Sequence, residues 1–219
     1  MNRTPRAVAV LGLMLVLASC VPWTVRPIGG DATPAAAAVA SSDPVAYVDS
    51  IWSSRLLPAV LNTAVDAREL LTALAASPSA ARQRYCLHYS GSGAYCVVKG
   101  EGIVTSIDNR SRVGLAFVDI APFDGRPDVS IQIGPVLSGN ALRDATGIVR
   151  FSDFVNQLQF ADAGNEINNR VLKSVLAPLD PKRLKGQTVS FAGALPATDH
   201  ADPPLAGLVP VLLTIKERR

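Results

Sequence analysis

The hydrophobic period changes along this chain at Gly93. Ahead of it apolar residues recur at helical spacing, and behind it they alternate with period two in short, β-rich runs. Ala94–Val98 and Gly102–Ile107 read as one long strand interrupted by glycine, where a bulge or bend is expected. Asp108-Asn109-Arg110-Ser111 is a turn cluster. Val113–Asp119 and Asp128–Ile133 follow as the next two strands, and Gly147–Phe151 as a short further one. Ser152 is expected to cap a helix over about 153–176, with Phe154, Leu158, Ala161, Ile167, Val171 and Val175 on one face and Pro178 at its end. Gln187–Leu195 and Leu208–Lys216 complete the pattern as two strands around a proline-rich loop, Pro196–Gly207. This order predicts an α+β fold: N-terminal helices plus a five-stranded OB-like β-barrel, with a helix inserted between the third and fourth main strands.

The helical part begins at Asp43-Pro44, where an aspartate caps and a proline occupies the first turn at no cost in hydrogen bonds. Val48, Ile51 and Trp52 form one face, and Pro58 is expected to kink or break the run. Leu57, Val60, Leu61, Ala64, Leu71 and Leu74 continue at helical spacing to an end near Ser77-Pro78-Ser79. The predicted single folded domain is therefore 43–219, helical over 43–79 and OB-like over 84–219.

The first 42 residues read as an address and a tether. Arg3 and Arg6 precede a 12-residue apolar run, Ala7–Ala18, which is too short to span a bilayer as a helix. With the small residues that follow, this is the pattern of a secretory signal peptide, 1–19. It ends in Leu17-Ala18-Ser19-Cys20, which resembles the bacterial lipobox, where the cysteine thiol is alkylated before cleavage. Cys20 is thus the expected lipidation site, placing the protein on the periplasmic face of a bacterial membrane. Val21 stands where an aspartate commonly marks retention in the inner membrane, so the position leans toward the outer membrane. Residues 20–42 comprise that cysteine and a flexible segment rich in Pro, Gly and Ala. Removing the leader lowers Lys+Arg from 21 to 19 against 18 acids, which leaves no electrostatic footprint for nucleic acid.

Cys86 and Cys96 flank the turn-forming Tyr89-Ser90-Gly91-Ser92-Gly93. Export favours a disulfide between them. Free thiols and a metal site using His88 are the alternatives, although the spacing matches no zinc pattern well. His200 lies far off in a proline-rich loop and is expected to be solvated. The sequence carries no nucleophile elbow, P-loop, zinc-protease helix or calcium loop. No cofactor and no metal are expected. Asp119, Asp124 and Asp128 read as ordinary turn acids.

The segment Ser130–Ala145 joins a strand, a Gly-Pro break and a polar cluster of Asn140, Arg143 and Asp144. A guanidinium beside an amide and a carboxylate can clamp a polar ligand. Equally, Arg143 and Asp144 can pair with each other or cap loop carbonyls. On the first reading Arg143→Ala removes binding and leaves the melting temperature nearly unchanged; on the second it undermines the fold. Gln132 belongs to the same candidate set, as do Asn156 and Gln157. Those two open a polar series with Asn165, Glu166, Asn168 and Asn169, which reads as buried partners, a contact surface or a solvated face.

Val98–Gly102, Ser111-Arg112, Gln132–Val136, Gly139, Ala141–Ala145, Phe151–Phe154 and Asn156-Gln157 together resemble a family of predicted bacterial periplasmic lipoproteins with a domain-of-unknown-function label. The resemblance extends over nearly the whole chain, the lipobox and the Tyr47–Trp52 helix included, and leaves the Cys86–Cys96 segment outside the pattern. It implies an OB-like domain and an accessory role beside a sugar ABC transporter, with transporter components as partners and a carbohydrate as the ligand. It brings no catalytic residues. An envelope enzyme acting on glycans, with Arg143 and Asp144 in its site, and a structural lipoprotein without a ligand are the rival readings.

Overall fold

The computed structural model describes residues 43–89, 93–198 and 201–216. The expected lipidation site Cys20, the expected tether and His200 lie outside them. Helix α1, Pro44–Ile51, starts as its sequence requires: Asp43 Oδ1 accepts the Val45 and Ala46 amides at 2.9 and 3.1 Å. A π-helical turn, Trp52–Leu56, leads directly into α2, Leu57–Thr63. Pro58 therefore does not break the run. It falls in the first turn of α2, just after the widened turn, where no backbone donor is needed.

The expected helix across 57–77 is interrupted. Ala64 turns extended, and Val65–Asp66 forms a two-residue strand, β1, parallel to Val98 and Lys99. The break follows from Asp66, whose carboxylate leaves helical geometry to cap the next helix, α3 (Ala67–Ala76). Ser77 ends α3, but Pro78 restarts the chain as α4, Pro78–Tyr85, so the helical part runs six residues past its expected limit at 79.

The strands are β2 (Cys86–Tyr89), β3 (Gly93–Asp108), β4 (Leu115–Ile120), β5 (Val129–Gln132), β6 (Thr188–Pro196) and β7 (Leu205–Ile215). β3 pairs antiparallel with both β4 and β6, β4 with β5, β5 parallel with β7, and β7 antiparallel with β6. Five strands thus pair in a closed circuit, with β1 and β2 added at the flank of β3. The 16-residue length of β3 lets it serve two neighbours. Its register shift falls between Val104 and Ser106 and not at a glycine. Gly102 instead permits a close approach of two strands, since a Cβ there would sit 2.4 Å from the Asp119 carbonyl oxygen of β4. Val104, Ala116, Val118, Val129, Ile131, Val189 and Leu208 are buried in the core.

The approach is tighter still at Gly193, where β6 and β7 shift register. A Cβ would lie 2.2 Å from the Val209 carbonyl oxygen and 2.9 Å from Pro210 Cα, both backbone atoms that cannot swing away. Gly193→Ala is expected to destabilise the fold by about 1–3 kcal/mol, the usual cost of overpacking. A urea titration checks this as a lower midpoint at unchanged slope.

Between β5 and β6 in the chain, the short helix α5 (Ala141–Asp144) precedes the main crossing helix α6 (Gln157–Val171) and its π-helical extension Leu172–Leu176. The expected strand at Gly147–Phe151 is absent. Gly147 turns with φ +67°, and Arg150–Asp153 closes a 3-10 turn in which Asp153 accepts the Arg150 amide at 3.0 Å. That turn displaces the helix start as well. Asn156, not Ser152, is the cap, accepting the Gln159 amide at 3.0 Å. The buried face of α6 consists of Ala163, Gly164, Ile167, Asn168 and Val171. Leu158, expected on that face, points to solvent.

Candidate functional site

Leu115 pairs with Gln132 and Phe117 with Ser130 across β4 and β5. Side chains alternate along a strand, so these four share the face opposite Ala116, Val118, Val129 and Ile131. Together with Val113, Ser138 and the residues Pro196, Thr198, Asp202, Ala206 and Gly207, they line a cavity of about 400 Å³. Its walls come from the outer face of the second and third strands of the circuit and from the loops before β4 and before β7.

Ser130 and Gln132 are polar on a buried strand because β7 bulges beside them. At the bulge the Gly207 amide donates to Ser130 Oγ at 2.9 Å, and Gln132 Nε2 donates to the Gly207 carbonyl at 3.0 Å. Gln132 Nε2 also donates to the Ser138 carbonyl at 3.2 Å, while its Oε1 accepts the Ser138 amide at 2.8 Å. The side chain therefore substitutes for missing ladder bonds and fastens two loops onto the strand. Its amide is spent on positioning the cavity wall. Phe117, Thr198 and Asp202 contribute an aromatic surface, a hydroxyl and a carboxylate.

The remaining sequence candidates are placed elsewhere. Arg143 Nε and Nη2 donate to Asp144 at 2.7 and 3.0 Å, and Nη1 donates to the Phe160 carbonyl at 3.3 Å. The guanidinium also lies 3.8 Å from the Phe160 ring centre. Both side chains are buried. Of the two readings of this pair, the structure has the internal one: the ions hold each other and pin α5 beneath α6. Tyr95 joins them from β3; burial raises its hydroxyl pKa, and the Asp144 carboxylate adds to the shift. Asn140 faces Gly164, where a Cβ would fall 2.4 Å from Asn140 Oδ1, and Asn168 Nδ2 donates to the Gly139 carbonyl at 2.9 Å. Asn140 and Asn168 thus seat the loop on α6. Asn156 caps that helix, and Gln157 is exposed beside it. Gln132 is the one member of the predicted ligand set that lines the cavity.

The acids of the β4–β5 turn are not simply solvated. Asp119 is buried and accepts the Gly125 amide at 2.8 Å through Oδ2, and Asp128 accepts the Ile120 amide at 2.8 Å. Asp119 Oδ1 has no hydrogen-bond partner among the described residues. No cluster of three metal-binding side chains occurs among the described residues. Cys86 and Cys96 stand opposite each other in the β2–β3 ladder and are joined by a disulfide. At the other mouth of the loop before β4, Arg110 locks onto Asp108, whose carboxyl is held at about 2, chiefly by hydrogen bonds from the Arg110 side chain and amide.

A second cavity, of about 490 Å³, lies over β3 and β6 and is lined by Asp66, Arg68, Lys99, Glu101, Phe191 and Leu212 among others. Glu101 there accepts hydrogen bonds from Lys216 at 2.6 Å and Ser190 at 3.1 Å, which hold its carboxyl below the usual range.

A closed circuit of five strands in the order β3-β4-β5-β7-β6, with a helix between β5 and β6 in the chain, is the arrangement of an OB-fold protein. A solved OB-fold protein from Thermotoga maritima is similar at TM-score 0.65 and 24% identity, covering 80% of this chain and 99% of its own. The chain belongs to a family of predicted periplasmic lipoproteins, DUF2291, whose family model matches residues 10–214. Membership makes it a lipid-anchored protein of the periplasm, as its N-terminus leads one to expect. No curated protein matches it.

Proposed function

We propose that this protein is a non-catalytic binding and accessory lipoprotein, anchored through Cys20 after cleavage of residues 1–19, that assists a carbohydrate ABC uptake system. The observation that carries this reading is the cavity against β4 and β5. OB folds commonly take their ligands on the face of strands two and three, between the loops that border this cavity. Its volume suits a mono- or disaccharide, and an apolar ring beside a few hydrogen-bonding groups suits a sugar's C–H face and hydroxyl rim. Hydrolysis of a glycan ordinarily needs two carboxylates across the scissile bond, whereas Asp202 is the only one lining the cavity among the described residues. No lysine or arginine lines the cavity among the described residues, so it also favours a neutral ligand over a phosphate chain.

A thermal-shift panel of mono- and disaccharides tests the reading. A sugar at one hundred times its dissociation constant stabilises by about 2.7 kcal/mol, a shift of several degrees for a domain this size. Asp202→Ala should abolish that shift and leave the sugar-free melting temperature unchanged, since its side chain is exposed. A flat panel, together with no product from the same sugars, would favour a structural lipoprotein instead.

A further inference from the structure

Three large apolar side chains stand out from the surface within eight residues: Phe151 is 57% exposed, Val155 63% and Leu158 70%. Phe151 opens the 3-10 turn, Val155 lies in the link before the Asn156 cap, and Leu158, which the helix pattern turned inward, lies in the first turn of α6. Their placement is held firmly. The Tyr47 hydroxyl donates to Asp153 Oδ2 at 2.7 Å, and the Tyr47 and Phe154 rings lie 4.7 Å apart. The Phe151 ring rests edge-on against Phe160 at 5.7 Å. Tyr47 belongs to α1, the helix by which the chain enters the fold, so this apolar projection lies beside the point where the tether attaches.

Two arginines stand beside the projection. Arg55 and Arg150 are exposed, and both act electrostatically on the Tyr47 hydroxyl. Of the nearby acids, Asp153 is engaged by Tyr47 and the Arg150 amide, and Asp162 stands one turn beyond Leu158 on α6, away from the two arginines' end of the projection. Exposed aromatic and aliphatic side chains flanked by arginines are the surface that seats in a lipid headgroup layer.

We propose that Phe151, Val155 and Leu158, flanked by Arg55 and Arg150, form a docking surface for an anionic phospholipid bilayer. The 22 residues from Val21 to Ser42 can reach at most about 75 Å. A lipid anchored at Cys20 therefore keeps the projection at high effective concentration near the bilayer. Docking would fix which face of the domain looks outward. This inference rests on the lipid anchor and not on sugar binding, so a flat sugar panel leaves it intact.

The test uses the full-length lipidated chain in vesicles of phosphatidylethanolamine and phosphatidylglycerol. With Cys20 acylated and Cys86 bonded to Cys96, a Leu158→Cys variant offers one thiol for an environment-sensitive fluorophore. The expected result is a blue-shifted emission, quenched several-fold more strongly by brominated lipid than the same label at Phe123→Cys in the β4–β5 loop. Arg55→Gln and Arg150→Gln should each lower the docked-to-undocked ratio by about fivefold. Emission at position 158 that stays as in water, or quenching equal at 158 and 123, overturns the proposal. As a label-free check, Val155→Ser with Phe151→Ser should remove vesicle-dependent amide protection of 151–158; protection that persists also counts against it.

Discussion

Arg143→Ala is expected to lower the unfolding free energy by about 3–5 kcal/mol, the range for stranding one ion of a buried pair. The guanidinium is the principal partner of the Asp144 carboxylate, and both are buried between α5, α6 and β3. Removing it leaves a buried anion beside Tyr95 and deletes the contact over the Phe160 ring. For a domain of this size the melting temperature should fall on the order of 10 °C or more. Replacing both members, Arg143→Met with Asp144→Leu, should recover most of the loss, because the desolvation cost of the ions disappears together with their attraction. Calorimetry of the single and double variants checks this. A single variant that melts like the parent would mean the pair is not needed for the fold and would make Arg143 a candidate binding group again.

The second large effect concerns the disulfide. Cys86→Ser with Cys96→Ser is expected to cost about 2.5–3 kcal/mol, the chain-entropy value for closing a loop of this length. The bridge joins β2 to β3 at directly opposite positions, and β2 makes its strand pairing with β3 alone. Loss should therefore loosen β2 and the end of α4 first, while the circuit of β3 to β7 holds. Amide exchange in the reduced protein should rise at 86–89 and stay low at 115–120 and 189–195. A uniform rise across both regions would contradict that order of unfolding.

Much of the fold was legible because strand alternation and turn clusters are local signals. The long first strand, the two strands after it, the inserted helix and the two closing strands all lie within a few residues of their expected bounds. The misses have a common origin. Asp66 breaks the expected helix to cap the next one, and Asn156 caps the inserted helix four residues after the expected Ser152; a cap is a local choice that periodicity does not register. At Gly147–Phe151 an apolar run resembled a strand, but it has no neighbouring edge to pair with and closes into a turn instead. Leu158 was placed on the apolar stripe and yet faces solvent, because at 3.6 residues per turn it stands on the side of α6 opposite the buried Ile167.

The candidate site was less legible. Gln132 was selected as a polar residue in an otherwise apolar strand, and the same oddity marks Ser130. What neither can announce is the bulge in β7, some 75 residues further along, that calls for their hydrogen bonds. Phe117, Thr198 and Asp202 carried no signal at all, since they meet only when β4, β5 and the loop before β7 come together.

The sequence by itself determined the class of the fold and the family of periplasmic lipoproteins to which the chain belongs, because each is written in neighbouring residues. Only the tertiary structure decided that Arg143 and Asp144 serve each other, that a cavity opens on β4 and β5, and that Phe151, Val155 and Leu158 face outward beside the tether. Those outcomes depend on which distant groups compete for the same hydrogen bonds and the same buried volume, and that competition exists only once the strands have closed.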